Sequence, residues 1–292
     1  MPGNSKGTES IIVAGAGYTG QQLLKLLSGQ SPRIVALSKA SKLTLPGVES
    51  IQIDFDSDSP TRIEVGEKAR VCYFVPPSSD SAPEARIKRF FEKVLDSLPV
   101  RVVLISTTGV YGNCDGEWVD ETWPLKPQTD RALRRFEVEK YCSSWAERHG
   151  VSLAILRVAG IYGPGRVPNE RLRQGFKLPK NLPGGFSNRI HVDDLAAICA
   201  AGLAGDATGA FNVSDGHPLR YRDYFNLVAE IWDLPKAEED DGNGSLNSIS
   251  PTLKSYLRES RKIVNRKLLE SFSIELQYPH PRQGLIACRE AD

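Results

Sequence analysis

Six short apolar runs recur along the chain, each bounded by turn-forming residues: Ile11–Ala14, Arg33–Leu37, Ser50–Ile53, Val71–Val75, Val100–Ile105 and Leu153–Val158. Their length and β-branched content predict buried strands. Between several of them the apolar positions change to a helical period, which predicts helices over Thr19–Leu27, Ala82–Leu98 and Thr129–His149. Strand and helix alternating on this spacing give an α/β fold, a parallel sheet covered on both faces. After about Gly163 the texture changes. The stretch GPGRVPNERLRQGFKLPKNLPGG, dense in Gly, Pro and cations, reads as a mobile insertion, and AEEDDGNGS reads as an exposed loop. Tyr221–Trp232 and Val264–Glu270 read as helices of a smaller C-terminal lobe.

Composition adds limits. With 292 residues, 40% hydrophobic and 25% charged, the chain can bury a full core. Lys+Arg 37 against Asp+Glu 36 leaves +1, so no global field draws nucleic acid or an anionic membrane. The five cysteines, Cys72, Cys114, Cys142, Cys199 and Cys288, contain no CxxC pair, which favours a reducing cytoplasm. No apolar run is long enough to span a bilayer, and the opening MPGNSKGTES reads as a polar tail without the apolar core of a signal peptide. No metal is expected.

The chemistry begins at IIVAGAGYTGQQLLKLL, where Gly15, Gly17 and Gly20 form GxGxxG, placed after a predicted strand and opening a predicted helix. The first glycine permits the turn, the second admits a pyrophosphate against the backbone, and the third lets helix and strand approach. A dinucleotide site follows. An NAD site places a carboxylate near the end of the second strand, for the ribose 2′-hydroxyl. Here that strand ends IVALSKASK, with Ser38 and Lys39 in the acid's place and Lys42 nearby. A hydroxyl and an ammonium suit a 2′-phosphate, so NADP is expected ahead of NAD. Asp54 in IQIDF is placed either to accept from the adenine amino group or to cap a turn.

Taken in order, GxGxxG, ISTTGVYG, LRVAGIYGPGR, RIHVDDLA and GAFNVSDG resemble the extended short-chain dehydrogenase/reductase superfamily, the NAD-dependent epimerase/dehydratase group, from about Ile11 to the end. Within it the chain resembles the atypical YeeZ-like members, in which GVYG is followed by an acidic EWVDE and the usual catalytic pair is missing. The resemblance implies a Rossmann doubly wound parallel sheet with a smaller C-terminal substrate lobe. On this sequence the dinucleotide-binding domain would comprise residues 8–165 and 187–213, and the lobe 166–186 and 214–292. Cofactor contacts are implied for Gly15, Gly17, Tyr18, Thr19, Gly20, Ser38, Lys39, Asp54, Val75, Pro76, Arg135, Gly160 and Ile161. A homodimer through the helices flanking the catalytic segment is implied as well.

The resemblance puts Thr107 at the catalytic Ser/Thr position, and the family's tyrosine and lysine, four residues apart, on Arg131 and Arg135. Between Pro124 and Tyr141 there is no YxxxK. The family reaction uses a phenol whose pKa of ~10 is lowered by a neighbouring ammonium and the nicotinium charge. Arginine stays protonated and shuttles no proton. Arg135 is left to donate to the nicotinamide ribose, and Arg131 to offer a fork to a carboxylate or phosphate. A solvated basic helix, with Arg135 paired to Glu139, is the competing reading. Tyr111, His191 and the acids of DGEWVDE are the remaining proton candidates, with structural roles preferred for Tyr111 and His191. Asp193 and Asp194 read as a helix N-cap pair, and Cys114 as an exposed loop thiol without a histidine partner. The function expected is an NADP-dependent oxidoreductase for a small, anionic substrate. A non-catalytic NADP-binding regulatory or assembly protein is the alternative, and a sugar-nucleotide epimerase the weakest.

Overall fold

The computed structural model describes residues 9–29, 32–39, 43–179, 185–240 and 259–292. Lys42, most of the N-terminal tail, residues 180–184 of the Gly/Pro-rich segment and residues 241–245 of the acidic stretch lie outside them. The strands of the main sheet are β1 (Glu9–Ala14), β2 (Arg33–Ser38), β3 (Val48–Gln52), β4 (Lys68–Tyr73) and β5 (Arg101–Thr107). After β6 (Trp118–Val119), which lies elsewhere, come β7 (Ser152–Val158) and, beyond four short strands, β12 (Gly209–Val213). Those four are β8 (Gly160–Tyr162), β9 (Leu178–Pro179), β10 (Phe186–Ser187) and β11 (Arg189–His191).

The seven-stranded sheet has the order β12-β7-β5-β4-β1-β2-β3. β1 runs parallel to both β2 and β4, β2 to β3, and β4 to β5. This is the doubly wound sheet that the alternating pattern predicts. The order reverses at β1, so the loop after β1 opens at the switch point where such sheets bind ligands. All six predicted strands are present. β12 goes beyond them, its residues having been read only as the motif GAFNVSDG.

The chain forms two compact units, one of Met1–Thr107, Asp130–Arg157 and Leu195–Phe211, the other of Thr108–Thr129, Val158–Asp194 and Asn212–Asp292. The first holds α1 (Tyr18–Leu27), α2 (Ala85–Arg89) and α3 (Asp130–His149). Its core joins Ile12, Val35, Val71, Val102 and Ile155 of the sheet to Phe90, Phe91 and Trp145. The single helix expected over Ala82–Leu98 is instead α2 followed by a π-helical turn, Phe90–Val94, closed by Leu95 N–H donating to Phe90 O at 3.1 Å. The wider turn puts the adjacent Phe90 and Phe91 inside together with Val94. Phe91 stacks on Trp145 with centroids 3.8 Å apart, and Phe90 lies 5.3 Å from Tyr73.

The second unit is built from short pairs. β8 lies parallel to β11, and β10 antiparallel to β13 (Leu219–Arg220). β9 pairs with β14 (Glu239–Asp240), and β6 with β15 (Lys262–Ile263). The segment read as a mobile insertion carries α4 (Asn169–Arg173) as well as β9, because Leu172 and Leu178 are buried in this unit's core. That core also takes Tyr224, Phe225 and Val228 from α6 (Tyr221–Ile231), which follows α5 (Val192–Ala204). It takes Leu285 and Cys288 from the last helix, α8 (Pro281–Ala291), which follows α7 (Arg266–Phe272). Nothing in the sequence reading anticipated α8, although its start is marked by Pro281 and by His280, whose ring accepts from Arg282 N–H.

Candidate functional site

The three glycines of the first loop are glycine for three different reasons. Gly15 turns the chain at φ +92°, and a Cβ there would sit 3.0 Å from Val75 N. At Gly20 a Cβ would lie 2.5 Å from Gly15 O, so helix and loop could not approach. Gly17 differs from both. Its backbone is extended, φ −81° and ψ −156°, as the N-cap of α1, and nothing lies within 4 Å of where its Cβ would be. Neither backbone strain nor protein packing accounts for a glycine at that position. The space beside its backbone is open, and the first turn of α1 carries no acid to oppose an anion. Tyr18 and Thr19 continue into that turn, Tyr18 half-buried and Thr19 buried.

At the end of β2, Ser38 is buried and Lys39 exposed. Lys39 Nζ stands 3.0 Å from Asp54 Oδ2 and 3.9 Å from Asp56 Oδ2, so the cation expected to meet a 2′-phosphate already has carboxylate neighbours. Asp54 takes the turn-capping role of its two readings: its Oδ1 accepts from Asp56 N–H at 2.9 Å. That bond, then Lys39, holds its carboxyl below the usual range. Arg86 grips Asp56 at 2.7 and 2.8 Å and also donates to the carbonyls of Pro76 and Pro77. Val75 is buried against Gly15, while Pro76 is exposed.

Thr107 closes β5, half-buried. On α3 the two arginines part company. Arg131 is exposed, whereas Arg135 turns inward and donates to Ile105 O at 2.7 Å. Burial pulls Arg135 down to about 10, leaving it charged at neutral pH. The competing expectation that Arg135 pairs with Glu139 gives way to another arrangement. Glu139 is buried, receives Arg157 Nη2 at 2.9 Å and accepts from Ser106 Oγ at 2.5 Å. Arg135 and Glu139, one turn apart, thus fasten α3 to successive residues of β5, immediately before Thr107. Sequence reasoning missed Ser106 and Arg157, and it gave Glu139 to Arg135 instead of to them. The signal was there in register: Glu139 is three residues before Cys142, on the helix face that buries Val138, Cys142 and Trp145. Arg134, also missed, donates to Ser78 O and Ser79 O at 2.8 and 3.0 Å and pins the loop after Pro76 and Pro77.

The other sequence candidates fall in the second unit. Tyr111 is buried and its hydroxyl donates to Asn212 Oδ1 at 2.8 Å, a structural bond. His191 is buried between Tyr162 and Tyr278, with Cys288 Sγ 3.6 Å from its Nε2, and burial holds its pKa below the usual value. Cys114 is buried rather than exposed, and its thiol is pushed up accordingly. Asp193 and Asp194 lie within the first turn of α5 instead of capping it. Asp194 accepts Gln277 N–H at 2.6 Å and Tyr278 N–H at 3.0 Å, binding the chain ahead of α8. Gly160 leaves room for a side chain of its own unit: a Cβ there would meet Arg189 Nη1 at 3.1 Å. Ile161, half-buried, pairs with Ile190.

A doubly wound sheet with a glycine loop at its switch point defines a Rossmann-type nucleotide-binding protein. Residues 11–214 match the NAD dependent epimerase/dehydratase family, and the chain belongs to it. It is 24% identical to the Protein YeeZ of Escherichia coli strain K12, over 94% of this chain and 97% of that one. Among solved structures it is similar to a conserved protein of unknown function from Silicibacter pomeroyi, with 29% identity, 97% and 99% coverage and a TM-score of 0.76. At 15% identity, dTDP-glucose 4,6-dehydratase of Bacillus anthracis, solved with NAD, shares the fold, with 98% and 97% coverage and a TM-score of 0.71. Among the described residues no helix is long and apolar enough to cross a membrane.

Proposed function

We propose that this chain is an NADP-dependent oxidoreductase of the atypical extended short-chain type, acting on a small anionic substrate without the usual Tyr/Lys pair. The observation that carries the cofactor element is Gly17, a glycine that neither its own backbone angles nor its protein neighbours require. Gly15 and Gly20 shape the loop, Ser38 and Lys39 meet the adenosine ribose, and Arg135 takes the place of the family lysine beside the end of β5. When bound, the nicotinamide supplies the hydride. The chain's own residues supply placement. Arg135 and Glu139 fix the strand end that carries Thr107, whose hydroxyl polarises the acceptor. With Tyr111, His191 and Cys114 all buried, the reading fits an acceptor that brings its own proton, such as an iminium ion protonated before it binds, which hydride alone converts to the amine.

The same burial favours a second reading, a non-catalytic NADP binder. Calorimetric titration with NADPH and NADH, followed by NADPH consumption assays on small keto acids with and without ammonia, separates the two. Tight NADPH binding with turnover supports the enzyme, and binding without turnover on any acceptor supports the binder. Absence of binding to either cofactor removes both.

A further inference from the structure

Arg189 is a charged side chain that the second unit beds on an aromatic ring and that, among the described residues, forms no ion pair. Its guanidinium lies over the ring of Tyr224, the central carbon 4.1 Å from the centroid. The room it occupies exists because Gly160 has no side chain, a Cβ there falling 3.1 Å from Nη1 and 3.3 Å from Cδ. Its Nε is buried with no acceptor, and among the described residues no carboxylate pairs with the guanidinium. The buried arginines find partners in one of two ways: Arg157 pairs with Glu139 at 2.9 Å and Arg261 with Glu259 at 2.8 Å, while Arg101 donates to Ser152 Oγ at 2.7 Å and to Ala207 O at 2.8 Å.

Two further groups beside Arg189 are unsatisfied. Asp215, 3% exposed, is tied to the arginine's own backbone by its N–H donating to Arg189 O at 2.7 Å. Its Oδ1 accepts His217 N–H at 3.0 Å, and its Oδ2 has no partner. The Tyr224 hydroxyl, on a side chain 1% exposed, also lacks one. Burial pushes the Asp215 carboxyl up to about 8, with the Arg189 charge opposing that shift, and the two side chains form no ion pair. A half-buried guanidinium resting over an aromatic ring is pre-organised for a carboxylate or phosphate, which its fork meets with two parallel hydrogen bonds.

We propose that Arg189 is an anion-recognition residue, which binds the carboxylate or phosphate of a small-molecule ligand through its guanidinium fork, with Tyr224 as its platform and Gly160 as its clearance. The assignment rests on residues of the second unit alone and stands beside the reading above as a separate proposal. It is tested without cofactor or turnover, so the two readings fail separately.

The full chain is titrated with inorganic phosphate and, in a second arm, with acetate, against sodium chloride at matched ionic strength, by thermal melting and calorimetry. One or both oxyanions should bind and raise the melting temperature beyond chloride. Arg189→Gln should weaken that binding at least about tenfold while NADPH affinity stays unchanged. Arg189→Lys keeps the charge but loses the fork, and should lose most of the oxyanion affinity, which covers the case in which the glutamine variant does not fold. The phosphate and acetate arms distinguish a phosphorylated ligand from a carboxylate. Equal stabilisation by chloride and by both oxyanions would leave only ordered water at the orphan groups and overturn the proposal. So would undiminished oxyanion affinity in either variant.

Discussion

Replacing Gly17 by valine separates a ligand-binding glycine from a structural one. At φ −81° and ψ −156° the position accepts any side chain without strain, and the new Cβ meets no protein atom within 4 Å. A valine N-cap is poorer than glycine, while the unfolded chain loses freedom, so these small terms oppose one another and stability should change by less than about 1 kcal/mol. Binding should respond far more. The branched side chain fills the space where a pyrophosphate meets the backbone, and loss of that contact should weaken NADPH and NADH at least ~100-fold, about 2.8 kcal/mol. The controls behave in the opposite way. Gly15→Ala places a side chain at φ +92° and 3.0 Å from Val75 N, a strain of about 1–3 kcal/mol before the clash is added. Gly20→Ala forces its Cβ to within 2.5 Å of Gly15 O, and overpacking of this kind costs about 1–3 kcal/mol. Urea unfolding measures the stabilities, and calorimetric titration the affinities. A folded Gly17→Val protein that binds either cofactor as well as the native chain would refute the assignment. A Gly17→Val protein that unfolds would show that the loop needs this glycine for itself.

Asp54 competes for Lys39 at 3.0 Å, so Asp54→Asn should release the ammonium and widen the NADPH preference over NADH about three- to tenfold in parallel titrations. An unchanged ratio would remove Lys39 from the 2′-phosphate site. Glu139→Gln leaves Arg157 buried without its counter-charge and should destabilise the chain by about 3–5 kcal/mol in urea unfolding, whereas the exposed Arg131→Ala should stay within about 0.5 kcal/mol. Asp215 binds its proton more tightly folded, at about 8, than unfolded, near 3.8. The stability it contributes is therefore complete below pH ~4 and is lost as pH rises to ~8. The groups facing it are Arg189, Asp194, Tyr162, Tyr224 and the His217 N–H. Asp215→Asn should flatten that limb of the pH–stability curve, and an unchanged slope would place the titration elsewhere.

The sequence by itself determined the sheet and its ligand loop, because both are written in local, short-range terms. Apolar runs of strand length alternate with helical periods, and Gly15, Gly17 and Gly20 stand between one run and one helix. Periodicity tells which face of an element is buried, and that is enough to give a doubly wound fold. It does not tell which partner a polar side chain finds. Arg131 and Arg135 share a helix and a spacing, yet only the docking of α3 on the sheet turns one to solvent and the other to Ile105 O. The same docking gives Glu139 to Arg157 and Ser106, residues that lie 18 and 33 positions away along the chain. In the second unit the separation is larger still, and the strands are too short for a period to register. Arg189 meets Tyr224, Asp194 meets the backbone of Gln277 and Tyr278, and Lys39 in the first unit meets Asp54 only because distant segments converge. Charge pairing and desolvation are set by distances in space, so the groups able to carry charge or a proton were chosen by the tertiary structure alone.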